Sequence, residues 1–258
     1  MERLYILVRT SNRPKGFCNL MKSIQKLEWP DVKTIVHTDD PRDTYVHGDI
    51  VIYGEAHLRS MGHAPYNLYN NRLLKAIPSP GWAHFIDDDD IYASPDVFNK
   101  LLEDASTNNV YVGKVTRWND QVFPKSWKVQ RSFQTECFCV WSEVAKKYKW
   151  WSEKGGDHNY TRKITRDHDI RWRDVMIATV QNLDNSKGHG RRMDVDNTEM
   201  ATYKEIADDE KVYIKLEKPR YGKGTTGVTE MYYFEAKALE KAGYGRITYK
   251  GENYVCNF

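Results

Sequence analysis

The chain has 258 residues, 40% hydrophobic and 13% aromatic, with 29% charged and a formal net charge of +3. That composition excludes a collagen-like, low-complexity or wholly disordered protein, and a charge this small names no nucleic-acid partner. No apolar run approaches the roughly 18 residues needed to span a bilayer, and Met1-Glu2-Arg3-Leu4 lacks a signal-peptide design. Cys18, Cys137, Cys139 and Cys256 show no framework spacing and predict reduced thiols. The expectation is one domain over 1–258 in a cytoplasmic setting.

The first half alternates strands and helices. Leu4 to Val8 is a continuous apolar run, the mark of a strand buried on both faces. Phe17, Leu20, Met21, Ile24 and Leu27 then recur at helical spacing and stop at Trp29-Pro30. Val32 to Val36 and Ile50 to Tyr53 predict two more strands, and Pro65 to Ile77 a helix. Trp82 to Ile86 predicts a fourth strand that runs straight into Asp87-Asp88-Asp89-Asp90. Ser94-Pro95-Asp96 is a helix start, with a capping hydroxyl and a proline in the first turn. Val110 to Val115 predicts a fifth strand. This rhythm predicts an α/β fold with a central, mostly parallel sheet flanked by helices, whose ligands bind beyond the carboxyl ends of strands.

After residue 116 the rhythm changes. Phe133 to Val140 predicts a strand, Ser142 to Tyr148 a short helix, and a second helix starts near Asp157. Residues 184–229 are polar and rich in glycine and lysine, which predicts a mobile, lid-like segment. Glu230 to Ala242 predicts a final helix. The domain divides into 1–115, 116–183 (the acceptor side) and 184–258 (mobile loop and C-terminal helix).

Four consecutive aspartates at a strand's carboxyl end carry the most chemistry. Their charges repel, and the cost rises as water is excluded. Solvation of an exposed turn relieves that repulsion; so does a divalent cation, which takes hard carboxylate oxygens as ligands. Asp39-Asp40-Pro41 ends another predicted strand, and reads as a turn or as a second acidic group facing the same crevice. Trp150-Trp151 reads as a sugar-stacking platform or as core. Asp167-His168-Asp169, flanked by Arg166, Arg171 and Arg173, reads as a metal cluster or as a salt-linked surface.

Leu4 to Val8, Arg9-Thr10-Ser11-Asn12-Arg13-Pro14, the amphipathic helix, Asp39-Asp40 and Phe85 through Tyr92 together resemble the nucleotide-sugar half of family 2 glycosyltransferases, which have the Rossmann-like glycosyltransferase-A fold. The resemblance covers residues 4–115 and extends more faintly to 165. It implies that the aspartate run is similar to the Asp-x-Asp motif, with Asp87 or Asp88 on the ribose and Asp89 on Mn2+ or Mg2+. It further implies donor contacts from Thr10, Asn12, Arg13 and Asp39 or Asp40, with Arg191 near the diphosphate and His189 completing the metal shell. The catalytic base expected by the resemblance is an acid at a helix start, which is Asp157 in Gly155-Gly156-Asp157-His158, with His158 next to it. Gly156 stands where the family usually has glutamate.

The activity implied is a metal-dependent, inverting hexosyl or pentosyl transfer from a nucleotide-diphosphate sugar, UDP-sugars first, to an acceptor hydroxyl. The acceptor is a glycan or a hydroxymethylated base in DNA, since basic and aromatic residues interleave over Lys114 to Lys128. Two other classes stand beside it. A nucleotidyltransferase would normally show a glycine-rich phosphate loop after the first strand, where only Gly16 occurs. A non-catalytic carbohydrate-binding protein would bind no nucleotide with metal.

Overall fold

The computed structural model describes residues 2–11, 13–39, 43–54, 65–117, 121–124, 134–152 and 155–181, together with the backbone of 211–216, 227–232 and 245–249. Strand β1 (Leu4–Thr10) is the hub. It pairs in parallel with β2 (Val32–Thr38) on one side and β4 (Trp82–Asp87) on the other, and β3 (Ile50–Tyr53) adds to β2. Leu4, Tyr5, Ile6, Leu7 and Val8 are all at most 1% exposed, as a strand covered on both faces requires. Helix α1 (Pro14–Ile24) opens on a proline and buries Phe17, Leu20, Met21 and Ile24. A 3-10 turn at Pro65–Leu68 leads into α2 (Tyr69–Ala76), which turns Leu73 and Leu74 inward.

With β5 at Asp90–Tyr92, β6 at Val110–Thr116, β8 at Phe138–Trp141 and β9 at Ile170–Val180, the nine-stranded sheet has the order β3-β2-β1-β4-β8-β6-β9-β5, and β7 (Val122–Phe123) pairs with β6. β3, β2, β1, β4, β6 and β9 run one way; β5, β7 and β8 run the other. The result is the expected α/β architecture, a mostly parallel central sheet flanked by helices.

Three features depart from the sequence expectation. β6 does not lie next to β4, because β8 (Phe138–Trp141), which leads into the short helix α4 (Ser142–Ala145), inserts antiparallel between them. Phe138, Cys139 and Val140 are fully buried there, which a short apolar run achieves only with a partner on each side. β9 (Ile170–Val180), the longest strand, is unanticipated, since Arg171, Arg173 and Asp174 break its apolar alternation. α3 is confined to Val97–Leu101: the Ser94 hydroxyl donates to the Asp96 carboxylate (2.7 Å) instead of capping the helix.

Toward the C-terminus, β10 (Lys211–Leu216), β11 (Gly227–Tyr232) and β12 (Gly245–Tyr249) form a separate antiparallel sheet of order β11-β10-β12. β10 lies within the stretch expected to be a mobile loop, and Glu230 to Tyr232 are strand rather than the start of a helix. The remainder of the expected loop and helix lies outside the described residues. Cys137 and Cys139 are free and buried. Cys18, expected as a reduced thiol, is disulfide-bonded, so cysteine usage carries no argument about compartment. No helix among the described residues is long and apolar enough to cross a membrane.

The tryptophan pair divides between the two readings. Trp150 is 2% exposed and stacks on Tyr160 of α5 (Gly156–Asp167), with ring centroids 4.2 Å apart. Phe85 of β4 meets Trp150 edge-on at 5.2 Å, tying α5 to the sheet. Trp151 is 52% exposed. Trp150→Ala is therefore expected to destabilise the fold by about 3–5 kcal/mol, and Trp151→Ala by no more than about 0.5 kcal/mol. Urea unfolding of the two variants checks this contrast, and equal costs would contradict it.

Candidate active site

The register of β1 places its last residues beside both acidic groups. Arg9 lies opposite Asp87 of β4, and Thr10 lies opposite Thr38, the last residue of β2. Asp39 follows directly, so the ends of β1, β2 and β4 bring Thr10, Asp39 and Asp87 to one edge. After Asp87 the chain turns through Asp88 and Asp89 and returns as β5 (Asp90–Tyr92).

This turn is not a solvated acidic loop. Asp88 is 4% exposed and Asp90 3%. Arg9 grips the Asp87 carboxylate with two nitrogens, Nε at 2.8 Å and Nη2 at 2.6 and 2.7 Å. Thr10 Oγ1 donates to Asp88 Oδ2 (2.7 Å), and Arg13 Nη1 reaches Asp88 Oδ1 at 2.9 Å and Asp89 Oδ2 at 3.0 Å. The Tyr45 hydroxyl accepts from the Arg13 backbone N–H (2.9 Å) and lies 3.0 Å from Thr10 Oγ1. Charge-assisted bidentate contacts of this kind are the strong ones.

Burial pushes the Asp88 carboxyl up to about 7; Arg13 opposes that shift and Asp89 adds to it. Burial also drives Asp90 well above the carboxylate range, with Glu136 and the other aspartates contributing. The same burial works against the charge on Arg9 and Arg13, yet Asp87 holds Arg9 protonated and Asp88 and Asp89 hold Arg13.

Gln181 fixes the turn from behind. It is the first residue after β9, and its backbone N–H donates to the Asp89 carbonyl at 2.6 Å. Its side-chain Nε2 lies 3.3 Å from the Asp88 carbonyl, 3.1 Å from that of Asp90 and 3.1 Å from that of Gly16 in α1. Its Oε1 accepts from Asn19 (2.9 Å). One amide thus holds the aspartate turn against α1. No motif marks this residue; its signal was the strand β9, which the sequence pattern hid.

On the β2 side, Asp39 is 6% exposed and accepts from the Tyr69 hydroxyl at 2.6 Å. Tyr69 stacks on His37 at 4.3 Å, and the Thr38 hydroxyl donates to Asp43. Asn12, Asp40, His189 and Arg191 lie outside the described residues.

On the other side stands α5. Gly155 caps it in the left-handed region at φ 74°, a conformation glycine adopts without strain. Asp157 occupies the first turn, its side chain 25% exposed, with Oδ2 4.0 Å from His158 Nε2. A Cβ on Gly156 would stand 2.4 Å from Asn67 Nδ2 and 2.9 Å from the Trp151 carbonyl, so this backbone admits no glutamate there. Asn67 in turn accepts from Arg9 Nη1 at 3.1 Å, linking the start of α5 to the Arg9–Asp87 pair.

Glu136, in the 3-10 turn Thr135–Cys137 before β8, was not anticipated. Loss of water around its carboxyl pushes it up to about 8, and the charges of Asp87, Asp157 and Asp89 push the same way. Tyr66 likewise senses both Asp87 and Asp157 after burial and Arg9. Asp157 therefore shares a field with the aspartate run. Among the described residues, no three His, Cys, Asp or Glu side chains are grouped so as to hold a metal ion. Asp167-His168-Asp169 is a surface network: Arg166 and Tyr148 bind Asp167 at 2.9 and 3.0 Å, and Arg171 lies 3.7 Å from Asp169.

No family model matches the chain, and no curated protein is similar to it in sequence. Solved structures are similar in fold. The S. aureus TarS 1-349 structure with UDP-GlcNAc aligns at TM-score 0.55 and 15% identity, over 74% of this chain and 62% of that one. TarS 1-349 alone aligns at 0.54 and 16%, over 70% and 60%. The mannosyltransferase PcManGT from Pyrobaculum calidifontis, in complex with GDP-Man and Mn2+, aligns at 0.50 and 14%, over 72% and 59%. The aligned part of this chain thus spans about 60% of the first of these proteins' solved length. With six sheet strands running one way and the acidic groups at their carboxyl edge, these likenesses identify the fold as glycosyltransferase-A.

Proposed function

We propose that the chain is a metal-dependent, inverting glycosyltransferase that moves a hexosyl or pentosyl group from a nucleotide-diphosphate sugar to an acceptor hydroxyl, UDP-sugars being the first donors to test. One observation carries this reading: the run Asp87 to Asp90 is held at the sheet's carboxyl edge by Arg9 and Arg13, with Asp39 on one side and the field of Asp157 on the other. Support comes from similar structures solved in complex with UDP-GlcNAc, with UDP, and with GDP-Man and Mn2+.

In this reading Thr10, Asn12 and Asp39 or Asp40 meet the base, Asp87 or Asp88 the ribose, and Arg13 and Arg191 serve the diphosphate. The donor set fits a hard divalent cation, because the crevice gathers more carboxylates than cations and carboxylate oxygens suit Mn2+ or Mg2+. Asp89 is the natural ligand: its side chain is 20% exposed against 5% for Asp88, whose oxygens are both engaged. Substrate oxygens and His189 would supply the rest. Such a metal stabilises the charge that develops on the leaving diphosphate.

Asp157 takes the acceptor proton as the acceptor oxygen attacks the anomeric carbon. The bond from that carbon to the diphosphate oxygen breaks, the nucleoside diphosphate leaves with the electron pair, and one displacement inverts the configuration. Gln181 acts through the turn it holds and is a positioning residue.

A screen of nucleotide sugars for Mn2+-dependent donor hydrolysis tests the whole reading, and no turnover of any donor would contradict it. Asp89→Asn is expected to abolish Mn2+-dependent UDP affinity in calorimetry while thermal unfolding stays near that of the parent; unchanged affinity would remove the metal assignment. Asp157→Asn should lower kcat by roughly 10²–10⁴-fold with little change in UDP affinity. The same signature in His158→Ala or Glu136→Gln, and not in Asp157→Asn, would move the base to that residue. Gln181→Ala should destabilise by about 1–3 kcal/mol, the cost of leaving buried carbonyls unpaired. Gln181→Glu should cost more, since it sets a carboxylate among carbonyl oxygens. Urea unfolding ranks the two, and the opposite order would contradict the clamp.

A further inference from the structure

At the amino edge of the sheet, the starts of β6 and β9 border a cavity of about 540 Å3. Asp104, Asn109, Tyr111, Arg171, Trp172 and Arg173 line it. Its volume lies within the roughly 300–1,000 Å3 of small-molecule sites. β4, β6 and β9 run the same way, so this cavity lies at the opposite edge from Asp87, which ends β4. β9 is 11 residues long and its far end pairs with β5 beside the aspartate turn. At roughly 3.3 Å per residue, its two ends stand about 30 Å apart. No residue assigned to the crevice lines this cavity.

The register of the two strands slips at this point. Val112 pairs with Trp172, but Lys114 pairs with Met176, so Arg173, Asp174 and Val175 stand against Gly113 alone. A Cβ on Gly113 would lie 2.7 Å from the Val175 carbonyl, and glycine is what admits the bulge. Bulges re-aim side chains, and here Arg173 lies beside Tyr111, its Cζ 5.8 Å from the ring centroid. Tyr111 is 1% exposed, and its hydroxyl accepts from the Ser106 backbone N–H at 2.6 Å. A fixed ring thus holds the guanidinium at the cavity wall.

The hydrogen-bonding capacity of this wall is largely unspent. Arg173 Nη2 donates to the Glu103 carbonyl, while its Nε, shut off from water, has no acceptor among the described residues. A buried donor left unmet costs free energy, and an anion on the same guanidinium offsets that cost. Arg171 lies 3.7 Å from Asp169, with side chains 55% and 80% exposed, a loose surface pair that leaves its fork open. Asp104 lines the same cavity with its backbone in the left-handed region at φ 52°. Such strained residues cluster at ligand sites. Two guanidinium forks suit phosphate oxygens, and a carboxylate beside them suits hydroxyl donors.

We infer that this cavity is a second ligand site, separate from the crevice, for a small phosphate ester that carries hydroxyl groups, as a sugar phosphate does. Arg171 and Arg173 take the phosphate oxygens, and Asp104 accepts from the hydroxyls. Asp104 in the wall and Asp169 beside Arg171 disfavour an extended polyanion, which would meet both carboxylates. The site stands or falls independently of the glycosyltransferase reading.

The test uses the full chain, with calorimetry and saturation-transfer NMR as readouts. The probes are glucose 6-phosphate, glucose 1-phosphate and ribose 5-phosphate, set against glucose, inorganic phosphate and a short DNA duplex. At least one ester should bind more tightly than all three comparison probes, and equally well with saturating UDP and Mg2+ present. Arg171→Gln and Arg173→Gln should each weaken that ester by about tenfold or more, the loss expected of a charge-assisted hydrogen bond. Arg171 is largely exposed, so its variant keeps the fold and decides the matter if Arg173→Gln unfolds. Asparagine also tolerates the left-handed region, so Asp104→Asn should keep the fold and narrow the ester's advantage over inorganic phosphate. Absence of ester binding, affinity no better than that of inorganic phosphate or the duplex, or displacement by UDP would each overturn the inference. Unchanged affinity in Arg171→Gln, or an undiminished ester advantage in Asp104→Asn, would overturn it equally.

Discussion

Four adjacent carboxylates at the end of a buried strand can persist only if something answers their charge, and here two arginines do so. Arg9 is the penultimate residue of β1, and Arg13 immediately precedes α1. The β1–α1 connection therefore crosses the aspartate turn, with one guanidinium on Asp87 and the other shared by Asp88 and Asp89. Removing either partner of such a buried pair leaves an uncompensated charge, which costs far more than the pair itself contributes. Asp90 and Glu136, buried beside the same carboxylates, are instead held toward their neutral forms.

The rigidity of the turn comes from three directions. β1 and β4 are in register, which sets Arg9 opposite Asp87. β5 pairs with the end of β9, so the outgoing arm is tied to the far side of the sheet. Gln181 then joins the carbonyls of the turn to α1. A carboxylate on this support has little freedom to relax toward water or away from a ligand, the condition under which fixed charges act most strongly on a bound group.

What the sequence made legible follows the strength of its local signals. Leu4 to Val8 is an unbroken apolar run and Trp82 to Ile86 a run broken only by His84, and both are strands where expected. The acidic positions at their ends were legible for the same reason, because a strand's carboxyl edge is where such a sheet binds ligands. β9 was hidden because Arg171, Arg173 and Asp174 interrupt its apolar pattern. Glu136 and Gln181 were hidden because neither residue has a local signature; each matters only through partners distant in sequence, Asp87 and Asp157 for Glu136 and Gly16, Asn19, Asp88 and Asp90 for Gln181. The insertion of β8 between β4 and β6 is a property of strand order, which periodicity does not encode.

The departure at Gly156 has a physical account that joins these observations. A glutamate there would need the space filled by Asn67, whose oxygen accepts from Arg9 and so supports the Arg9–Asp87 pair. An acid at 156 and an asparagine at 67 are thus mutually exclusive on this backbone. The chain keeps the asparagine, and Glu136 places a carboxyl in the field of Asp87 and Asp157. Delivered from the turn before β8 rather than from α5, that carboxyl leaves the first turn of α5 slim. Glycine at this one position therefore makes room for the asparagine that supports the Arg9–Asp87 pair.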